Sequence, residues 1–146
     1  MHVSVLNGVN LGMLGKRQPE IYGTTTLSEL ETRIYSWAGS LGLSARCVQT
    51  DHEGEYVEAI HDALGWADGV IVNPGAWTHY SYAIRDALAM LEAPVIEVHL
   101  SDVDHREAWR RTSVIEDVVR ERILGHGVDG YREALERLAG KAVATG

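Results

Sequence analysis

The segment Gly69-Val70-Ile71-Val72-Asn73 is a continuous apolar run that ends in a polar residue, and Pro74-Gly75 follows it. A short apolar run without alternation is typical of a parallel strand that helices cover on both faces. Pro and Gly favour a turn directly after the strand. We therefore expect this run to form a buried strand of a parallel sheet.

Strand and helix patterns alternate on both sides of this run. Residues 3–6, 43–49 and 94–99 have the apolar character of strands, and apolar residues at helical spacing lie between them. Thr26-Leu27-Ser28-Glu29 has the form of a capping box at the start of the first long helix. Such alternation produces βαβ units with right-handed crossovers. We predict one α/β domain over residues 1–146, a flavodoxin-like doubly wound five-stranded parallel sheet with strand order 2-1-3-4-5.

The fifth strand carries the weakest signal. Residues 118–124 have the right position in the chain, but the successive charges Arg120-Glu121-Arg122 suit an edge strand or a helix better than a buried strand. Upstream, Ser101-Asp102 could cap a short helix that runs through Trp109.

Composition narrows the functional classes. The chain has 146 residues, of which 45% are hydrophobic and 23% charged, as expected for a globular domain. Its formal net charge of −8 argues against a nucleic-acid partner. Cys47 is the single cysteine, so neither a disulfide framework nor a cysteine-based metal site is expected. No apolar run is long enough for a membrane span, and the start lacks a signal-peptide pattern, so we expect a cytoplasmic protein without membrane contact.

A long segment, residues 6–23, separates the first strand from the first long helix. Structureless loops of this length are uncommon in compact domains unless they are functional or disordered, and this one is too apolar for disorder. We interpret it as an active-site loop and lid that carries Arg17 and Tyr22. A phenol is a poor base at neutral pH, but a guanidinium close by favours its ionised form. The alternative is that Tyr22 only packs against the loop.

Polar residues cluster at the predicted carboxyl ends of the strands, where open α/β sheets bind ligands. Asn10 follows the first strand, Asn73 ends the third, and His99 and Ser101 end the fourth. His79 opens the helix after the third strand. Each residue alone could be a turn former, but their arrival at one rim predicts a site.

Glu97 lies inside the apolar fourth strand, two residues before His99, so both side chains leave the same face. A buried carboxylate needs a partner. If Glu97 contacts the imidazole, it favours the protonated ring and prepares His99 as a proton donor. Pairing of Glu97 with a structural arginine is the alternative. Arg106 and Arg110 have i, i+4 spacing and could grip a carboxylate from one helix face, or simply be solvated.

Several motifs for other functions are missing from the sequence. There is no G-x-G-x-x-G, and Gly15-Lys16 is followed by Arg17 instead of Ser or Thr, so no P-loop is present. The seven histidines have no zinc-binding spacing, and there is no G-x-S-x-G elbow.

Ordered sequence blocks resemble those of type II 3-dehydroquinate dehydratases. The segments Leu6-Asn7-Gly8-Val9-Asn10-Leu11 and Leu14-Gly15-Lys16-Arg17-Gln18-Pro19-Glu20-Ile21-Tyr22-Gly23 resemble the opening signature of that family. The later blocks that match in order are Gln49-Thr50-Asp51-His52-Glu53-Gly54-Glu55, Asn73-Pro74-Gly75-Ala76-Trp77-Thr78-His79, Ile96-Glu97-Val98-His99-Leu100-Ser101 and Gly125-His126-Gly127-Val128-Asp129-Gly130-Tyr131.

The resemblance implies reversible dehydration of 3-dehydroquinate to 3-dehydroshikimate without a metal or an organic cofactor. By position, Tyr22 would be the base that takes a proton from the carbon beside the ketone, and Arg17 would activate it and close the lid. Asn10 would hold a water that stabilises the enolate. His99 would be the general acid for the departing hydroxyl, with Glu97 behind it.

The resemblance also implies the residues that bind substrate. Asn73, His79 and Arg110 would bind substrate hydroxyls. Leu100 and Ser101 would present main-chain and hydroxyl donors to the substrate carboxylate.

In the family, an acidic residue at the position of Asp86 reaches the site of a neighbouring subunit in a trimer, and four trimers form a dodecamer. The chain departs from the family pattern at Val9, at Gln18 beside the lid arginine, and at Asp102, whose charge would lie close to a substrate carboxylate. Arg120-Glu121-Arg122 replaces a more apolar strand. These departures leave open a divergent, non-dehydrating paralogue that binds another anionic cyclic ligand. A role in the shikimate pathway and one in quinate breakdown both remain compatible with the sequence.

Overall fold

The sheet has the predicted topology. The computed structural model describes residues 1–140, in which five parallel strands form one sheet in the order β2-β1-β3-β4-β5. The predicted doubly wound fold is confirmed. The strands are His2–Asn7 (β1), Ser44–Gln49 (β2), Gly69–Asn73 (β3), Val95–His99 (β4) and Glu121–Leu124 (β5).

Helices cover both faces of the sheet. One core lies between the sheet and helices α2 and α5, and a second lies between the opposite face and helices α3 and α4. No helix within residues 1–140 is long and apolar enough to cross a membrane. The α-helices are Pro19–Tyr22 (α1), Leu27–Ser40 (α2), Glu53–Ala63 (α3), Tyr82–Leu88 (α4) and Asp129–Leu138 (α5).

Helix α2 begins where the capping box predicts. The Thr26 hydroxyl oxygen accepts a hydrogen bond from the Glu29 backbone N–H at 3.2 Å, and the hydroxyl lies 3.2 Å from the Glu29 carboxylate. An N-cap of this kind stabilises a helix by about 1 kcal/mol. Leu30, Ile34 and Ala38 then share the buried face of the helix.

Strand β5 is the edge strand that the charge pattern allowed. It pairs in parallel with β4, and Ile123 is its one fully buried residue. An edge strand tolerates charged side chains because they can reach solvent around the rim of the sheet. The helical alternative for residues 118–124 is wrong apart from a 3₁₀ turn at Glu116–Val118.

Two local predictions need correction. Residues 6–23 are not structureless, because they contain a 3₁₀ turn at Leu11–Met13 and the single turn of α1. The helix expected after Ser101-Asp102 does not run through Trp109. It splits into two 3₁₀ turns, Val103–His105 and Ala108–Arg111, so Arg106 lies between the turns and shares no helix face with Arg110.

Two glycines let the loops after β1 and β3 touch. A Cβ atom at Gly8 would lie 2.5 Å from the carbonyl oxygen of Pro74, and one at Gly75, where φ is 65°, would lie 2.6 Å from the carbonyl oxygen of Val9. The Gly8 N–H donates to the carbonyl of Asn73 at 2.8 Å. Close approach of these two backbones brings the carboxyl ends of both strands to the rim of one cavity.

Candidate active site

One cavity lies beyond the carboxyl ends of β1, β3 and β4, at the switch in strand order. It encloses about 630 Å³, part of which is open to solvent. The structure brings most of the predicted site residues to its walls, and Arg106 joins them. The predicted residues that line the cavity are Asn10, Arg17, Tyr22, Asn73, His79, His99, Leu100, Ser101 and Arg110.

Two arginines surround Tyr22 in different ways. The Arg106 Nη1 donates a hydrogen bond to the Tyr22 hydroxyl oxygen at 2.7 Å. The guanidinium carbons of Arg17 and Arg106 each lie 5.3 Å from the centroid of the Tyr22 ring. The hydroxyl of Tyr22 is therefore held by a charged donor. The partner predicted for the hydroxyl was Arg17, and the structure has Arg106 at that atom and Arg17 at the ring.

Glu97 is fully buried beneath the cavity and receives four donors. Thr78 donates from its hydroxyl to Oε2 at 2.6 Å, and His99 lies with Nε2 2.6 Å from the same oxygen. Ser113 donates to Oε1 at 3.1 Å, and the Arg122 Nε donates to Oε1 at 3.0 Å. The two predicted alternatives, an imidazole partner and an arginine partner, are therefore both present.

These contacts keep Glu97 ionised. Burial by itself raises the pKa of the carboxyl, but the hydrogen bond from His99, the charges of His99 and Arg122, and the bond from Thr78 outweigh it and lower the pKa to about 2. A carboxylate held in this way orients the imidazole. Since Nε2 of His99 faces Glu97, Nδ1 is the ring nitrogen left for a ligand.

His79 is bound to the backbone through one ring nitrogen and presents the other ring nitrogen to a ligand. Its Nδ1 lies 2.7 Å from the carbonyl oxygen of Thr112, to which it donates. Burial lowers the pKa of His79, and the neighbouring His99 and Arg110 lower it further, although the bond to Thr112 acts in the opposite direction. A neutral ring with Nδ1 protonated presents Nε2 as an acceptor, which suits a substrate hydroxyl.

Asn73 lies in a buried polar network that links three elements. Its Nδ2 donates to the Tyr131 hydroxyl at 3.0 Å, and that hydroxyl donates to Oδ1 of Asn7 at 2.6 Å. The Oδ1 of Asn73 accepts from the Gly75 N–H at 3.2 Å. Burial raises the pKa of Tyr131, so its phenol stays protonated. The amide of Asn73 keeps one N–H and one lone pair for a ligand.

The backbone of Asn10 is held by residues at the end of β2 and directly after it. It adopts a left-handed conformation with φ at 70°, and its N–H donates to Oδ1 of Asp51 at 2.8 Å. The Gln49 Nε2 donates to the same carboxylate oxygen and to the carbonyl of Gly8, at 3.2 Å each. Asp51 and Gln49 therefore hold the loop that carries Asn10.

Arg110 lines the cavity from the 3₁₀ turn Ala108–Arg111. It pairs with Glu107, and its guanidinium carbon lies 4.2 Å from the centroid of the Trp109 ring. Leu100 is buried, and Ser101 accepts a hydrogen bond from Arg106 at 3.3 Å. The cavity thus has a cationic wall around the predicted position of a substrate carboxylate.

Asp86 and Asp102 lie outside the cavity. Asp86 is exposed on α4, so any role in catalysis requires a second copy of the chain and stays a prediction. The Asp102 carboxylate accepts from the Asp104 N–H at 3.2 Å and lies 2.6 Å from Nδ1 of His105, and the effect of its charge on a substrate carboxylate stays a prediction.

Sequence reasoning missed four contacts. The spacing of Arg106 with Arg110 pointed to a carboxylate grip, whereas Arg106 contacts the Tyr22 hydroxyl. Thr78, Ser113 and Arg122 were not predicted as partners of Glu97. Arg122 had a signal, since it is a charge in an otherwise strand-like segment, but the two lone hydroxyls had none. Residues 1–140 contain no cluster of three His, Cys, Asp or Glu side chains that could hold a metal ion.

Comparisons with known proteins agree over nearly the whole of the described chain. The family model described as dehydroquinase class II matches residues 1–139. A 3-dehydroquinate dehydratase of Halalkalibacterium halodurans is 53% identical over 133 residues, which cover 91% of this chain and 92% of that protein. One from Pelobacter propionicus is 54% identical over 134 residues, 91% and 90% of the two chains. The crystal structure of a type II dehydroquinase from Propionibacterium acnes matches with a TM-score of 0.93 at 46% identity, over 95% of this chain and 96% of that one. The chain belongs to the class II dehydroquinase family.

Proposed function

We propose that the chain catalyses the reversible dehydration of 3-dehydroquinate to 3-dehydroshikimate through an enolate, with Tyr22 as the base and His99 as the general acid. As a class II dehydroquinase it is a hydro-lyase. The observation that carries the mechanism is that one cavity holds both the Arg106-bound hydroxyl of Tyr22 and the Glu97-bound ring of His99.

Tyr22 acts first. Its phenolate, stabilised by the hydrogen bond from Arg106 and by the charge of Arg17 against the ring, takes a proton from the carbon beside the substrate ketone. The electron pair of the broken C–H bond passes to the ketone oxygen and forms the enolate. A water held by Asn10 donates to that oxygen, and the Asp51 carboxylate keeps Asn10 in position.

His99 completes the reaction. The enolate collapses, the C–O bond to the departing hydroxyl breaks, and the imidazolium delivers a proton so that water leaves. The product contains a carbon–carbon double bond conjugated with the ketone. Glu97 stays ionised throughout and stabilises the imidazolium before the proton is transferred.

The remaining residues of the cavity hold the substrate. Asn73 and His79 have free hydrogen-bonding capacity for ring hydroxyls, and Arg110 supplies a charged donor. The substrate carboxylate lies against the main-chain N–H of Leu100 and the Ser101 hydroxyl. Arg17 closes the lid over the bound substrate.

The assembly and cellular setting belong to the same proposal. Chains form trimers in which Asp86 reaches a neighbouring site, and four trimers make a dodecamer in the cytoplasm. Exposure of Asp86 on α4 leaves it available for such a contact. Sizing chromatography tests this part, since elution at the mass of a single 16.1 kDa chain would exclude it.

The test of function is the ultraviolet absorbance of the conjugated enone, followed after addition of 3-dehydroquinate. Tyr22→Phe and His99→Ala each remove one proton-transfer group, and we expect kcat to fall by about 100-fold or more in each. Far-UV circular dichroism serves as the folding control. Absence of enone with the wild-type protein would exclude the proposed reaction, and full activity in either variant would exclude the assigned roles.

A further inference from the structure

Arg122 is a cation on the edge strand that the mechanism above does not use. Strands β4 and β5 pair so that Glu97 lies opposite Arg122, which directs both side chains to one face of the sheet. The Arg122 Nε donates to Oε1 of Glu97 at 3.0 Å, while His99 contacts the other carboxylate oxygen at 2.6 Å. One buried carboxylate therefore bridges a permanent cation and a titratable one.

We propose that Arg122 is a positioning residue for His99, which acts through Glu97 by holding the carboxylate ionised and by sharing its charge with the imidazole. The inference rests on the proposed function, in which His99 must both carry a proton and release it. A carboxylate with no second cation would bind the imidazolium more strongly and make it a weaker acid.

The packing of Arg122 favours this role over a purely structural one. Its side chain is 15% exposed, and its Nη2 atom is buried without a hydrogen-bond partner among the described residues. An unpaired buried donor costs stability, and an apolar side chain would fill a strand position without that cost. The contact that Arg122 does make is with Glu97, so the carboxylate accounts for a charged side chain at this position.

Other charged and titratable groups also act on His99 and must stay constant in the test. Those on the walls around the cavity come from α1 and its preceding loop, from the loop after β3, and from the turns after β4. Tyr56 of α3 lies on the Glu97 side of the sheet, where its hydroxyl donates to the carbonyl of Leu6. The groups around the cavity are Arg17, Tyr22, His79, Glu97, Arg106 and Arg110.

The main experiment compares Arg122→Gln with Arg120→Gln by the enone assay across pH. Arg120 lies exposed two residues earlier, so both variants lose one positive charge from the same segment. For Arg122→Gln we expect the alkaline limb of the kcat profile to move up by about one pH unit, because His99 would then face a carboxylate that has no second cation. We expect kcat at pH 7 to fall about tenfold with KM changed less than about threefold. The acid limb stays in place, and Arg122→Lys restores the wild-type profile.

A direct titration separates this inference from the proposed reaction. The His99 resonance is followed by NMR in protein labelled with ¹³C-histidine and assigned with His99→Ala. A higher midpoint in Arg122→Gln than in Arg120→Gln supports the coupling whether or not enone forms. Equal midpoints and equal pH profiles in the two variants would overturn it while leaving the dehydration intact.

A double variant covers the case in which Arg122→Gln does not fold. Glu97→Gln with Arg122→Leu removes both charges, so no unpaired ion is left inside. If Arg122 acts only through Glu97, kcat of this double variant matches that of Glu97→Gln within about twofold, because the two effects share one pathway. A further tenfold loss in the double variant would refute the inference.

Discussion

Glu97→Gln changes one oxygen to nitrogen at the centre of the buried network and removes its negative charge. The carboxylate accepts from Thr78 and His99 at one oxygen and from Ser113 and Arg122 at the other. A glutamine side chain has one acceptor oxygen and one NH₂ group in place of two acceptor oxygens. Two of the four groups that donate to Glu97 would therefore point at an NH₂ group. Arg122, with a side chain only 15% exposed, would also lose its anion.

The cost follows from the pKa of Glu97. The folded protein lowers the pKa from its ordinary 4.5 to about 2. At about 1.4 kcal/mol for each pH unit, this corresponds to about 3 kcal/mol of folding free energy at neutral pH. Removal of one partner from a buried ion pair costs about 3–5 kcal/mol in other proteins, which is the same range. We therefore expect Glu97→Gln to lower the free energy of unfolding by about 3 kcal/mol at pH 7.

The sign of the pH dependence is fixed by the direction of the change. Because the pKa of Glu97 is lower in the folded chain, its contribution is complete above about pH 4.5 and is lost as the pH falls through about 2. The stability difference between wild type and variant should fall to less than half of its neutral value by about pH 3.

The measurement is urea unfolding at pH 7 and pH 3, followed by far-UV circular dichroism at one fixed protein concentration. Glu121→Gln is the matched control, since Glu121 pairs with Arg137 at the partly exposed edge of the same sheet. We expect that control to cost less than about 1 kcal/mol. If Glu97→Gln is no more costly than Glu121→Gln, or if the difference is unchanged at pH 3, the electrostatic account of this network is wrong.

Three further substitutions test the framework of the site. Gly8→Ala forces a Cβ to within 2.5 Å of a backbone oxygen of Pro74, so urea unfolding should give a loss of about 2 kcal/mol or more. Tyr131→Phe deletes a hydroxyl that bridges two buried amides, and the same assay should give about 2 kcal/mol. Asp51→Ala frees the N–H of Asn10 and should lower kcat about tenfold in the enone assay, whereas Asp51→Asn keeps an acceptor and most activity.

Periodic features of the sequence predicted the fold because each pattern has a direct structural cause. The apolar run at residues 69–73 can be buried only if helices cover both faces of the sheet. The capping box at Thr26 sets the start of α2. Strand β5 was hard to predict because only one of its residues, Ile123, is buried. The charged residues 120–122 hide the apolar pattern of a strand. Its pairing with β4 depends on a tertiary register that no local pattern encodes.

The site was predictable in outline and not in its contacts. His99 and Asn73 end neighbouring parallel strands, so both line the cavity at the carboxyl edge of the sheet, where open α/β sheets bind ligands. The donor to Tyr22 was not predictable, because residues 101–111 contain two separate 3₁₀ turns. Arg106 lies between the turns and contacts Tyr22, whereas Arg110 contacts Glu107 and Trp109. Spacing rules that hold for an α-helix do not apply across such a break.

The distribution of charge explains how an acidic chain can take an anionic substrate. The net charge is −8, yet the charged side chains that line the cavity are the guanidinium groups of Arg17, Arg106 and Arg110. Glu97 is the acidic group beneath the cavity; Arg122 balances its charge, and Thr78, Ser113 and His99 occupy the rest of its oxygen atoms. The electrostatic potential inside the cavity is therefore positive, although the potential far from the protein is negative. The net charge was uninformative about the site, because three convergent arginines decide the local potential.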